Sequence, residues 1–174
     1  MTRFGVHAPE AQIIVVPYNT SWPEQFEAER RVLSELLHPW LAGEIEHVGS
    51  TSVPSLAAKP VIDIMAPVTT LQESRPAIEA LKQLDYCYSD YKPDLMHWFC
   101  KPSPQVRTHH LHLVPIDSSV WAERLAFRNA LRADNRLAEK YAALKQRLAA
   151  QFRDNREAYT EAKTPFILQV LSGG

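Results

Sequence analysis

The sequence has few cysteines, almost no net charge and no long apolar run, and each absence excludes a class of protein. Two thiols, Cys87 and Cys100, cannot form a structural zinc site alone, and their spacing does not indicate a disulfide framework, so we expect reduced thiols. A formal net charge of -1 provides no global basic field, so there is no strong case for a nucleic-acid partner. No window approaches ~18 unbroken apolar residues, and residues 1–16 contain no long apolar core. We therefore expect a cytoplasmic protein that is neither exported nor membrane-spanning.

The order of the predicted elements indicates the fold class. The chain of 174 residues has no repeat or linker, which predicts one domain over residues 1–174. Capping boxes at Ser21 and Thr70 predict two helices, and a continuous helical pattern from Ser119 predicts three more, with breaks near 133–134 and 154–155. The predicted strands are 12–16, 44–48, 61–68, 86–91, 96–100 and 109–116. This order favours an α/β (α+β) fold, a mixed sheet flanked by helices with a helical C-terminal part.

The stretch HVGSTSVPSLAAKPVIDIMAPV, residues 47–68, contains the parts of an anion site. Gly49 permits close backbone approach to a ligand, Ser50, Thr51 and Ser52 offer hydroxyl groups, and a helix beginning near 53–54 would add free N–H groups. Lys59 adds a positive charge, and Asp63 on the next strand can hold a divalent metal against the same phosphate. The alternative is a strand–turn–helix connection whose serines only cap the helix. The glycine-lysine-serine ending of a Walker A loop is missing.

The stretch RTHHLHL places His110 and His112 on one face of a strand. With Asp63 they form a candidate set of three metal ligands, and His47 is a further candidate. Two alternatives remain: imidazoles that line a polar pocket by hydrogen bonding, or a histidine that only packs in the sheet. The pattern does not favour a histidine-triad hydrolase, because Thr108 stands where the first histidine is required.

Arginines recur every four residues at Arg124, Arg128 and Arg132, so they share one face of the helix after Ser119. A solvated face with ion pairs is the ordinary interpretation of such a pattern. The alternative is that some of these arginines turn towards the cleft and bind an anionic substrate.

Several motifs in order resemble the GrpB family, a group of small bacterial proteins in the nucleotidyltransferase superfamily. They are VVPYNTSWPEQFEAE (15–29), HVGSTSVPSLAAKPVIDI (47–64), THHLHLV (108–114), LAFRNALRA (125–133), YAALKQRLA (141–149) and YTEAKTPFI (159–167). The resemblance implies a nucleotidyltransferase-like fold with glycine-serine at the mouth of the site. Ser55 stands where the family commonly has glycine. Met65 stands where active members of the superfamily carry a second carboxylate, and a thioether cannot replace that magnesium ligand.

The resulting hypothesis is that the chain binds a nucleotide or other phosphorylated small molecule, with metal-dependent nucleotidyl or phosphoryl transfer as its chemistry. The metal would be magnesium or manganese ahead of zinc. The alternative is a non-catalytic accessory domain, as in the fusions of such domains to dephospho-CoA kinase that the resemblance suggests. The predicted catalytic and metal-binding residues are Asp63, His110 and His112, and the predicted substrate-binding residues are His47, Gly49, Ser50, Thr51, Ser52, Lys59, Arg128, Lys145, Tyr159 and Lys163.

Overall fold

A mixed five-stranded sheet forms the centre of the computed structural model, which describes residues 12–173. Residues 1–11, which belong to the stretch expected to lack an export signal, lie outside the described residues. The helices are α1 Trp22–Leu37, α2 Ala77–Ala80, α3 Ser119–Ala133, α4 Asn135–Gln151, α5 Arg156–Ala162 and α6 Thr164–Leu171. The strands are β1 Glu46–Val48, β2 Ile62–Val68, β3 Cys87–Ser89, β4 His97–Pro102 and β5 Arg107–Pro115.

The strand order is β1-β2-β5-β4-β3, and only the β2–β5 pair is parallel. Alternation along β2 turns Ile62, Ile64 and Ala66 towards one face, where they pack with α1 in the main core. The opposite face carries Asp63 and Met65. The mixed sheet with helices confirms the predicted fold class.

Four predicted elements differ from the structure. The helix predicted from Thr70 begins only at Ala77, as α2, after a run of turns. Residues 12–16 do not form a strand, because their one strand-like pairing is an isolated bridge between Val16 and Ala58. No α-helix follows the glycine-serine stretch, where a single 3₁₀ turn, Ser50–Ser52, forms instead. The C-terminal part has four helices rather than three, because the chain breaks again at Lys163, just before α6.

The capping interactions explain where several helices begin. Ser118 accepts a hydrogen bond from the Trp121 N–H, and Asp134 accepts from the second and third residues of α4. The predicted capping box at Ser21 is wrong, since the Ser21 hydroxyl makes no cap bond and instead accepts from Gln25 Nε2. Within residues 12–173, no helix combines the length and the apolar composition that a bilayer crossing requires.

Candidate functional site

The sheet register brings the glycine-serine turn, Asp63 and the predicted histidines together. Val48, the residue before the turn, is opposite Asp63 on β2, and Asp63 is the parallel neighbour of His110 on β5. A Cβ atom added to Gly49 would lie 2.5 Å from Asp63 Oδ2. The turn and the imidazoles therefore meet at the Asp63 carboxylate, whose side chain remains 30% exposed.

Asp63 accepts from two imidazoles. Its Oδ1 lies 3.3 Å from His110 Nδ1 and 3.4 Å from His112 Nε2. Burial raises the pKa of Asp63, but the hydrogen bonds from both histidines outweigh burial and hold that pKa well below its usual value. Asp63 is therefore an ionised carboxylate throughout the physiological range.

Arg124 fixes the proton position on His112. An Arg124 guanidinium N–H donates to His112 Nδ1 at 2.9 Å, and a guanidinium has no acceptor, so Nδ1 must be unprotonated. The ring proton then lies on Nε2 and is donated to Asp63. Burial and the neighbouring Arg124 charge lower the pKa of His112 to about 4, so the ring is neutral at pH 7.

This proton arrangement opposes the predicted metal role of the histidines. His112 would have to release its Nε2 proton to ligate a metal, while Arg124 occupies the only other ring nitrogen. Within residues 12–173 no group of three or more histidine, cysteine, aspartate or glutamate side chains is arranged to hold a metal ion. Met65, at the position of the second superfamily carboxylate, is 0% exposed in a cluster with Val48 and Val114. The residues present therefore do not fit a two-metal centre.

His110 has one nitrogen without a partner. Its Nδ1 faces Asp63, an acceptor, so that nitrogen carries a proton. Its Nε2 is buried and has no hydrogen-bond partner within residues 12–173. Unsatisfied buried polar atoms are rare, and ligand or solvent contact is one of their ordinary explanations.

The glycine-serine turn uses most of its own hydroxyl groups. Ser52 Oγ donates to the Gly49 carbonyl, and Thr51 Oγ1 lies 2.9 Å from His47 Nε2. His47 stacks on Phe26 at 4.7 Å, and burial lowers its pKa to about 4, against the opposing effect of the Asp63 charge. His47, Thr51 and Ser52 thus shape the turn from inside, although sequence predicted direct substrate contacts for them.

Gly49 has a conformation that only glycine adopts readily. Its φ of 70° and ψ of -174° lie in a region essentially restricted to glycine. The absence of a side chain also allows the turn to approach the Asp63 carboxylate. Ser50, which is half-buried beside it, bonds to the Tyr141 hydroxyl.

Three lysines converge on one side of the turn. The ammonium groups of Lys59 and Lys163 lie 5.3 and 4.6 Å from the ring centre of Tyr159. Lys145 lies 5.0 Å from the ring centre of Tyr141 and donates to the carbonyl of Ala57 in the segment that leads to β2. The predicted residues Lys59, Lys145, Tyr159 and Lys163 therefore form one group, which we call the lysine cluster.

Burial and like charges depress the pKa values of two lysines of the cluster. Burial, then Lys163, then Lys59 lower the pKa of Lys145 to about 7. Burial and Lys59 lower the pKa of Lys163 to about 8, although the Asp63 charge acts in the opposite direction. Neither Lys145 nor Lys163 forms a salt bridge with another residue of the segment 12–173.

The α3 arginines hold the frame of the site rather than a substrate. Arg128 NH1 lies 2.6 Å from Glu46 Oε2 and donates to the carbonyl of His47 at 2.9 Å, while Arg132 donates to the carbonyl of Ser52 at 2.9 Å. Arg128, predicted to bind substrate, is thus committed to β1. A groove of about 550 Å³ borders these arginines behind the turn, but Asp63 and the lysine cluster do not line it.

Two residues of the site were missed from the sequence. Arg124 was seen only as one member of the arginine repeat, and its contact with His112 depends on how α3 lies over the sheet. Tyr141 is the first residue of the stretch YAALKQRLA. Its position four residues before Lys145, on the same face of a helix, could have indicated that the two side chains are in contact.

The fold belongs to a known structural class. The fold matches a chain in the structure of the GLD-2/RNP-8 complex with a TM-score of 0.58 and 13% identity. The match includes 90% of this chain and 60% of that one. It also superposes on the Cid1 poly(U) polymerase with a TM-score of 0.50 at 12% identity, over 76% of this chain and 45% of that one. These similarities show a nucleotidyltransferase-like fold and nothing further about activity.

The family is shown by closer matches. The model of the GrpB protein family matches residues 12–172, and the chain belongs to this family. Its fold matches the crystal structure of the conserved protein GrpB from Enterococcus faecalis with a TM-score of 0.82 and 34% identity, over 92% of this chain and 96% of that one. The UPF0157 protein PA4798 of Pseudomonas aeruginosa is 35% identical over 95% of this chain and 69% of its own length. The UPF0157 protein YqkA of Bacillus subtilis is 31% identical over 91% of this chain, which spans only 46% of YqkA.

Proposed function

We propose that this protein binds a nucleotide or another phosphorylated small molecule, with the phosphates held between the lysine cluster and Ser50. The observation that carries this proposal is the convergence of Lys59, Lys145 and Lys163 around two tyrosine rings beside the turn. Burial first, and neighbouring ammonium groups second, lower the pKa values of Lys145 and Lys163 towards neutrality, and a bound anion would favour their charged forms.

A multiply charged anion matches this cluster better than a single carboxylate. A phosphate monoester bears a charge of about -1.5 to -2 at pH 7 and offers three acceptor oxygens. Lys163 approaches from the end of α5 and Lys59 from the turn segment, so the two ammonium groups beside the Tyr159 ring can contact one ligand. Ser50 follows Gly49, which lies against Asp63, and Ser50 bonds to the hydroxyl of Tyr141, whose ring lies 5.0 Å from the Lys145 ammonium group.

Nucleotidyl or phosphoryl transfer is a second candidate, favoured by the position of Asp63. This carboxylate is ionised and faces the glycine-serine turn. It can contribute one oxygen ligand to a magnesium or manganese ion whose other ligands are phosphate oxygens and water, an arrangement with few protein ligands that magnesium accepts. Met65 provides no second carboxylate, so binding without turnover, as in an accessory domain, is the function we place first.

Calorimetric titration with ATP and with pyrophosphate tests the proposal, each with magnesium, with manganese and with a chelator. We expect binding that weakens more than tenfold in Lys163→Met, because loss of a charge-assisted contact removes more than ~1.4 kcal/mol. Lys82→Met is the matched control, since Lys82 forms only an exposed pair with Glu79.

The titrations with and without metal distinguish binding without turnover from nucleotidyl or phosphoryl transfer. Binding that survives chelation without pyrophosphate release supports the accessory function. Metal-dependent binding that is lost in Asp63→Asn, together with pyrophosphate release, supports transfer. Failure of ATP and pyrophosphate to bind under all three conditions would overturn both.

A further inference from the structure

A second chemically active group lies in the same row of the sheet as Asp63. On the Asp63 face the directly opposed residues are Asp63 on β2, His110 on β5, Cys100 on β4 and Cys87 on β3. Directly opposed residues project to the same face of a sheet. Two thiols therefore continue the line that begins with the Asp63–His110 contact.

The register places the two thiols within reach of each other. Directly opposed residues of an antiparallel pair have Cα atoms about 4.5 or 5.5 Å apart, and both separations lie inside the range of about 4.4–6.8 Å found in disulfides. Both cysteines are free, and Cys87 contributes to the raised pKa of the Cys100 thiol, after burial as the main cause. The pair is thus close but reduced.

Accessibility gives the two thiols different roles. Cys87 is partly exposed on the edge strand β3, whereas Cys100 is 1% exposed. An external oxidant can therefore reach Cys87 first, and burial shields Cys100 from direct attack.

We propose that Cys87 and Cys100 form a reversible disulfide across β3 and β4 when the protein meets a low-molecular-weight disulfide. The Cys87 thiolate attacks the external S–S bond, and one small thiol leaves. The Cys100 thiolate then attacks the Cys87 sulfur of this mixed disulfide, and the second small thiol leaves. The two protein thiols are oxidised by two electrons, the external disulfide is reduced, and their protons pass to the two released thiols.

The Cys87–Cys100 disulfide would affect the candidate site through His110. Cys100 is opposite His110, and the ring of Trp98 packs 5.0 Å from the His110 ring on the same face. Drawing Cys100 towards β3 changes the packing on one side of His110, whose Nδ1 bonds to Asp63 on the other. Oxidation should therefore alter the His110 environment although His110 itself does not react.

Intact-protein mass spectrometry after incubation with glutathione disulfide tests the bond. We expect wild type to lose two hydrogens and both alkylatable thiols without retaining an adduct, and dithiothreitol to reverse the change. Cys100→Ala is the matched variant, and it should instead retain a glutathione adduct on Cys87. Should the buried substitution prevent folding, Cys87→Ala, at the partly exposed position, must resist oxidation altogether.

Nuclear magnetic resonance of the imidazoles, assigned with a His110→Gln variant, tests the connection to the site. The His110 signals should shift on oxidation in wild type and remain unchanged in Cys87→Ala. A stable wild-type adduct on Cys87, a disulfide-linked dimer, or unreacted thiols after prolonged incubation would each overturn the proposal. Unmoved His110 signals in the oxidised protein would refute the connection.

Discussion

Replacing Lys145 by methionine should stabilise the protein and weaken anion binding at the same time. Lys145 is 2% exposed, and burial with two neighbouring lysines lowers its pKa from 10.5 to about 7. At about 1.36 kcal/mol per pKa unit, this shift corresponds to roughly 4 kcal/mol of unfavourable free energy for the charged form at pH 7. Methionine retains most of the side-chain volume and carries no charge.

One lost contact offsets part of this gain. Lys145 donates to the carbonyl of Ala57, and leaving that buried acceptor unsatisfied costs about 1–3 kcal/mol. The net expectation is a free energy of unfolding that rises by about 1–3 kcal/mol in Lys145→Met at pH 7, while the affinity for ATP falls more than tenfold. Most buried substitutions lower stability, so a gain coupled to a loss of binding would mark a residue retained for function.

The pH dependence gives an independent check. Because the folded-state pKa of Lys145 is below the unfolded value, the unfolded chain binds more protons between about pH 7 and pH 10.5. Wild-type stability should therefore rise through this window. The penalty is fully present below pH 7 and disappears above the unfolded pKa, so the advantage of Lys145→Met should shrink by pH 10.

Urea unfolding at pH 7 and pH 10, followed by circular dichroism, measures both effects. Lys82→Met, which removes an exposed lysine, should change stability by less than about 0.5 kcal/mol at either pH. A Lys145→Met variant that is less stable than wild type by the same amount at both pH values would refute the reasoning, since Lys145 would then act as an ordinary packed side chain.

Three further outcomes follow from the site geometry. Gly49→Ala should lower the free energy of unfolding by about 2–4 kcal/mol, because φ at Gly49 is 70° and the added methyl group would lie 2.5 Å from a carboxylate oxygen. Urea unfolding measures this loss, and Gly43→Ala, the control, should lower the free energy of unfolding by less. Ser55→Gly should raise stability by about 0.5–1 kcal/mol in the same assay, because Ser55 has a φ of 66°, and no gain would contradict the strain. Arg124→Met should allow His112 to carry its proton on either nitrogen. It should also raise the pKa of His112 from about 4, although burial remains the main cause of the low value. Nitrogen-15 resonances report both effects, and an unchanged pKa would show that Arg124 does not contribute to the shift.

Local periodicity predicted the faces of the site correctly. Alternation placed His110 and His112 on one side of a strand, and both contact Asp63. The partner of that strand could not be predicted in this way, since parallel pairing of β2 with β5 depends on contacts between residues distant in the chain. The apolar segment 12–16 shows the same limit in a prediction that was wrong. Its composition is typical of a strand, but in the fold it forms only one isolated bridge.

The same limit applies to the helices. A four-residue spacing shows that Arg124, Arg128 and Arg132 share a face of α3, but it does not show whether that face meets solvent. Packing of α3 against β1 and β5 makes Arg128 only 9% exposed. The carbonyl groups of β1 and the turn thereby obtain donors that a solvated helix would not have supplied.

The proximity of the three lysines in the cluster was the feature of the site hardest to predict from the sequence. Lys59, Lys145 and Lys163 come from a turn segment, the middle of α4 and the end of α5, so no local pattern joins them. Their convergence opposes folding, because burial and neighbouring ammonium groups lower the pKa values of Lys145 and Lys163, and a sequence selected for stability alone would separate them. Asp63 lies near enough to raise the pKa of Lys163 but forms no ion pair with it. Lys145 and Lys163 are thus buried cations beside one ionised carboxylate, and an incoming phosphate would favour their charged forms.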